Sequence, residues 1–86
     1  MKSWKNDMPI LYYKPTCFYC QSVIKTATKL GIPLELKNVK SDAAAASELM
    51  ERGGKRQVPF LVDEDRGVSM YESNDIINYL EQNYVH

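Results

Sequence analysis

Histidine and cysteine are scarce in this chain, which holds one histidine, His86 at its end, and two cysteines among 86 residues. A closed zinc site takes four Cys or His ligands, so such a site would need a second chain, and no metal ligand is expected. Two cysteines are also too few for the disulfide framework of a small secreted domain. Net charge is lacking, since 11 basic residues balance 11 acidic ones. Without a basic face to displace counterions from phosphate, nucleic-acid binding is not expected. No apolar run comes near the ~18 residues that cross a bilayer, which argues against a membrane partner. Met1 to Asp7 carries Lys2, Lys5 and Asp7 with no apolar stretch behind it, unlike a secretion signal, so the expected location is the cytoplasm. Repeats and linkers are missing as well. With 44% hydrophobic residues the chain has the means to fold, and it reads as a polar tail at 1–7 followed by a single domain at 8–86. A domain of this size buries roughly 60–65% of its unfolded surface.

What the chain does contain is an alternation of strand and helix signals. Met8 to Tyr13 is a short apolar and aromatic run of strand type that stops at Lys14-Pro15. A helix is predicted just beyond, capped by Thr16 or Cys17, with Cys20, Val23, Ile24, Ala27 and Leu30 on one stripe and Gly31 and Pro33 as its stop. Leu34 to Val39 alternates with period two, which predicts a strand with one buried face. Ser41 or Asp42 caps a second helix over Ala43 to Arg52, ended by Gly53-Gly54. Val58 to Val62 and Val68 to Tyr71 flank the turn Asp63 to Gly67 and predict a hairpin. Ser73 or Asn74 is placed to cap a last helix, whose Ile76, Ile77, Leu80 and Tyr84 recur at helical spacing. The order β-α-β-α-β-β-α predicts an α/β domain with a mixed four-stranded sheet flanked by three helices, the thioredoxin-like layout.

Within that layout Cys17-Phe18-Tyr19-Cys20 is the feature that needs a chemical account. Cys17 falls where a strand runs into a helix start, so its sulfur meets unpaired N–H groups and the positive end of the helix dipole, with Lys14 adding a cation. Such surroundings favour a thiolate. Cys20 is one turn later on the apolar stripe, close enough for a disulfide and buried enough to react second. Tyr12 to Cys20 (Y-Y-K-P-T-C-F-Y-C), Gln57-Val58-Pro59 and Tyr71 to Ile76 (Y-E-S-N-D-I) together resemble the glutaredoxin family, and the likeness runs from about residue 8 to 84.

That resemblance implies a glutathione-dependent thiol-disulfide oxidoreductase, with Cys17 as catalytic nucleophile, Cys20 as resolving thiol, a redox-active Cys17–Cys20 disulfide and glutathione as reductant. It implies a cis bond before Pro59, which leaves the Val58 backbone free to pair with the tripeptide as a strand would. Lys14 and Arg56 then match positions near the glycine carboxylate, with Lys55 and Gln57 as close alternatives. At the other end, Ser73 and Asn74 offer helix-start N–H groups to a carboxylate and Asp75 accepts from the γ-glutamyl ammonium. Tyr19 is expected beside Cys17 in the groove.

Phe18 stands where many dithiol glutaredoxins carry proline, which keeps open a [2Fe-2S] cluster held between two protomers with glutathione. A thioredoxin-like reductase served by a flavoprotein is the other alternative. Expected partners are glutathione and glutathionylated or disulfide-bonded proteins, with the domain a monomer. Glu72-Ser73 is also similar to the N-terminal domain of glutathione transferases. Those enzymes use a helical second domain for their electrophile, which these 86 residues do not hold, so the expectation stays with the glutaredoxins.

Overall fold

The computed structural model describes residues 8–84, so the polar tail expected at 1–7 and the terminal His86 lie outside the described residues. The elements in chain order are β1 (Ile10–Tyr13), α1 (Phe18–Leu30), β2 (Glu35–Asn38), α2 (Ala43–Gly53), β3 (Phe60–Asp63), β4 (Val68–Met70) and α3 (Ser73–Tyr84). The strands form one sheet in the order β2-β1-β3-β4. β1 and β2 are parallel, joined through α1, while β3 runs antiparallel to both β1 and β4. This is the expected thioredoxin-like fold.

Alternation along the two central strands sorts the core into two layers. Leu11 and Leu61 point to one face, where Val23 and Ala27 of α1 and Ile76 and Leu80 of α3 cover them. Ile10, Tyr12, Phe60 and Val62 point to the other, beneath Ala45 and Leu49 of α2. Tyr12 and Phe60 are both fully buried, and the Tyr12 hydroxyl reaches out of the core to donate to Glu48 of α2 at 2.9 Å. Glu48 also pairs with Lys37 of β2 at 2.8 Å, which pins α2 over the β2 edge.

Three expectations need correcting. β2 has no buried face: Leu36 is exposed and its neighbours are half-buried, because β2 is the edge of the sheet. Leu30, at the end of the α1 stripe, is exposed on the last residue of the helix before Gly31. Neither Ser73 nor Asn74 caps α3. Both lie inside it, and Glu72 takes the cap position, its carbonyl accepting the Ile76 N–H at 2.9 Å. The remaining helix ends follow the sequence closely. Asp42 accepts from the Ala44 and Ala45 amides, and Gly31 and Gly54 close α1 and α2 with φ of 74° and 80°, a left-handed conformation suited to glycine.

Candidate functional site

The C-terminal end of β1 delivers Cys17 to the N-cap of α1, with φ −83° and ψ 115°. From there its sulfur accepts the Cys20 N–H at 3.1 Å, an orphan donor of the first turn. The thiol faces the Val58 carbonyl oxygen at 4.0 Å. Cys17 is half-buried and Cys20 wholly buried, and neither is in a disulfide. Burial pushes the Cys20 thiol up to about 12, and a hydrogen bond with Cys17 adds to the rise. Cys20 is therefore protonated, and its sulfur faces the core.

Opposite Cys17 the chain comes off α2, passes Lys55 to Val58 and enters β3. The Val58–Pro59 bond is cis. Val58 precedes the strand, and its amide makes no backbone hydrogen bond among the described residues. Tyr71 fixes this loop from below. Its ring stacks on Phe60 with centroids 4.5 Å apart, and its hydroxyl accepts from the Lys55 amide at 3.2 Å and donates to the Lys55 carbonyl at 3.3 Å.

Val58 is common to two depressions. One, of about 290 Å³, is lined by Lys14, Lys40 and Arg56 together with Val39, Ala46, Leu49 and Val58. These three cations have no ion-pair partner among the described residues. The other, of about 360 Å³, is lined by Tyr19, Gln57, Val58, Pro59, Tyr71, Glu72, Ser73 and Asn74, where the start of α3 offers N–H groups without intrahelical acceptors. The cationic depression and the one at the helix start therefore meet at Val58, whose carbonyl faces the Cys17 thiol, and together they make a groove that Cys17 adjoins without lining either part.

Most of the residues expected at a site do meet here. Lys14 and Arg56 share the cationic end, and Gln57, Val58, Pro59, Ser73, Asn74 and Tyr19 share the other. Asp75 lines neither, being exposed on the first turn of α3. Lys55 lines neither depression, its ammonium lying over the Tyr71 ring, 5.3 Å from the centroid. Lys40 and Tyr71 are additions. Lys40 follows β2 in a turn with no motif around it, whereas Tyr71 sat in a quoted motif and could have been suspected as the ring next to Glu72-Ser73.

Residues 11–86 match the family described as glutathione S-transferase, N-terminal domain. The chain belongs to that family. A curated relative, glutathione S-transferase D7 of Anopheles gambiae, is 35% identical over 78 residues, covering 88% of this chain and 35% of the relative. Among solved structures, glutathione S-transferase 1-6 from Anopheles dirus species B has 38% identity and a TM-score of 0.71, covering 87% of this chain and 35% of that one. A glutathione transferase homologue from Drosophila mojavensis with bound glutathione has 25% identity and a TM-score of 0.70, with 90% and 35% covered. The chain thus spans about a third of the length of these transferases.

This overturns the glutaredoxin expectation, and the thiol-disulfide oxidoreductase assignment falls with it, because the relatives are transferases. The physical reason is that a helix-start cysteine and a Val-Pro turn into β3 report the shared thioredoxin-like fold more than the reaction. The transferase likeness of Glu72-Ser73 holds, because the lack of a helical second domain carries no weight for a chain matching one part of longer proteins. The iron–sulfur alternative gains no support either: among the described residues, no group of three or more His, Cys, Asp or Glu side chains is arranged to hold a metal.

Proposed function

We propose that this glutathione S-transferase N-terminal domain binds glutathione along the groove and sets the tripeptide's sulfur against Cys17 for transfer to an electrophile. The observation that carries the reading is the order of groups along the groove, which complements the tripeptide end to end. Lys14 and Arg56 receive the glycine carboxylate through charge-assisted bonds, with Lys40 beside them. The Val58 backbone pairs with the central cysteinyl residue in strand fashion. The N–H groups at the start of α3, around Ser73 and Asn74, receive the γ-glutamyl carboxylate.

Cys17 then acts as a hydrogen-bond donor. Its thiol faces the Val58 carbonyl at 4.0 Å, so a thiol bound next to Val58 accepts that hydrogen as it ionises once the S–H turns from the carbonyl to the sulfur. The Cys20 amide holds the Cys17 sulfur from behind. Conjugation forms a bond from the glutathione sulfur to an electrophilic carbon as that carbon's bond to a leaving group, or the π bond of an activated alkene, breaks with its electron pair, and the thiol proton passes to solvent. A donor turned onto the sulfur favours the ionised nucleophile. The mosquito and fly proteins named above carry a transferase name or a bound glutathione, which supports the same ligand here.

The direct test is isothermal titration of glutathione into the chain, alongside S-methylglutathione, which keeps both carboxylates. Binding of both is expected, weakened in the Arg56→Ala chain. Absence of heat with either ligand, from a chain shown to be folded by circular dichroism, would overturn the reading.

A further inference from the structure

β2 is the outer strand of the sheet, and no strand among the described residues meets its free side. On its inner side the Glu35 N–H donates to the Pro9 carbonyl at 2.9 Å and the Val39 N–H to the Tyr13 carbonyl at 3.0 Å. Because hydrogen-bonding direction alternates along a strand, the odd-numbered residues turn their backbone groups toward β1, while Leu34 and Leu36 turn theirs outward. Such an edge is a template for a further strand. Side chains alternate too. Leu36 is 45% exposed and stands with Leu34 and Pro33 beside Ile24 and Thr28 of α1, around an apolar depression of about 210 Å³. Lys37 lies on the opposite face, paired with Glu48 of α2 at 2.8 Å, and Glu35 shares that face two residues away. A lysine ordinarily deters pairing at an edge, but here Glu48 offsets its charge.

We propose that β2 is a docking edge for a second copy of this chain, in place of the expected monomer, with the two strands antiparallel about a two-fold axis through Leu36. The two four-stranded sheets then form one continuous sheet. This pairing does not depend on which ligand the groove takes.

Charge complementarity identifies the occupant. The strand reads Glu35-Leu36-Lys37, so about that axis Glu35 falls opposite Lys37 of the second copy and Lys37 opposite Glu35 of the second copy. Leu36 falls opposite Leu36 of the second copy, and the two exchange both outward backbone hydrogen bonds. Directly opposed residues share a face, so the second leucine arrives on the α1 side, next to the apolar depression that the first one borders. Centring the pair one residue earlier would set Glu35 against Glu35, and one residue later Lys37 against Lys37. Charge therefore selects one register among those that keep the outward groups paired. An unrelated extended peptide could use the same backbone groups, but only a strand of the order acid-leucine-base satisfies both faces at once, and this chain supplies that strand itself.

Sedimentation velocity on the whole chain from about 10 µM to about 1 mM tests for association, since an interface built on one short strand belongs at the weak end of the range. Dimers are expected toward the upper concentrations, and the Leu36 amide should gain protection from hydrogen exchange in step with them. Glu35→Lys and Lys37→Glu each set like charges opposite one another, and either alone should weaken self-association by at least about tenfold. Mixed in equal amounts the two variants are complementary again, and they should form a heterodimer. Leu36→Lys, at an exposed position, sets two cations face to face and should leave a monomer, which keeps the test intact if Lys37→Glu fails to fold without its Glu48 partner. A wild-type chain that stays monomeric throughout the range would overturn the proposal and leave the edge to a different partner. Dimers that ignore both Glu35→Lys and Leu36→Lys, or that leave the Leu36 amide unprotected, would place the contact elsewhere and overturn it as well. So would a mixture of the two charge variants, both folded by circular dichroism, that does not associate.

Discussion

The Cys17 sulfur stands 4.0 Å from the carbonyl oxygen of Val58, a residue 41 positions further along the chain. This contact joins the helix-start thiol to the backbone proposed to hold the tripeptide. If Cys17 donates to the bound sulfur, replacing the donor should be felt in the ionisation of glutathione within the complex. Followed by thiolate absorbance near 240 nm, with protein lacking ligand subtracted, Cys17→Ala should move that midpoint up by about one pH unit relative to Cys17→Ser, which keeps a hydroxyl donor. Equal midpoints would remove the donor role from Cys17.

The two ends of the groove should contribute separately. Arg56→Ala removes one of three cations and should weaken glutathione binding by about tenfold, the value of one charge-assisted hydrogen bond at a partly exposed site. The loss should shrink for an ester of the glycine carboxylate, which no longer carries the charge. An equal loss for the ester and the free acid would place Arg56 elsewhere than at that carboxylate.

Gly53 ends α2 directly beneath the loop that leads to Val58. A methyl group there would run into the Tyr71 hydroxyl and ring, and come within 3.2 Å of the Phe60 ring. Gly53→Ala is therefore expected to destabilise the fold by about 1–3 kcal/mol through displacement of Tyr71, and to loosen the Lys55 to Val58 loop. Thermal denaturation should show a fall of several degrees or more, and a melting temperature equal to wild type would contradict the packing described.

Asp63, at the end of β3, is buried and accepts from Tyr79 at 2.6 Å, Tyr84 at 2.5 Å and Arg66 at 3.0 Å. Burial works to raise its carboxyl, but the three donors outweigh it and hold the group below the ordinary carboxylate range. A carboxyl lowered by folding contributes stability above its unfolded value of about 3.9, and that contribution is lost as the pH falls through the lower folded value. Asp63→Asn should cost about 2 kcal/mol at pH 7 and flatten the acid side of the stability curve. Urea midpoints at pH 7 and pH 3 test both, and a variant as acid-sensitive as wild type would show that another carboxylate governs the acid limb.

At the start of α2, the Asp42 carboxylate accepts from Ala44 at 3.0 Å and from Ala45 at 3.4 Å. Asp42→Ala should cost about 1 kcal/mol, the usual value of an N-cap. Asp42→Ser should recover most of it, and no recovery would point to charge rather than capping as the source.

Local signals in the sequence determined the element order, the sheet class and the ends of α1 and α2. Strand alternation, helical spacing and glycine stops act over a few residues, and Leu11, Val23, Leu61 and Ile76 reach the core as their patterns require. The sequence also marked most of the groove, because Cys17, Val58-Pro59 and Ser73 lie at element boundaries, where the thioredoxin-like topology gathers chain ends. Only the tertiary structure decided what depends on distant segments meeting. It left β2 at the sheet edge with Leu36 exposed, brought Lys40 beside Arg56, and set Tyr71 under the Val58 loop. It also joined Asp63 to Tyr79 and Tyr84, which their spacing alone had marked only as a turn residue and part of a helix. The physical reason is that periodicity fixes which face of an element is apolar, whereas the partners of a polar side chain are set by packing between elements remote in sequence.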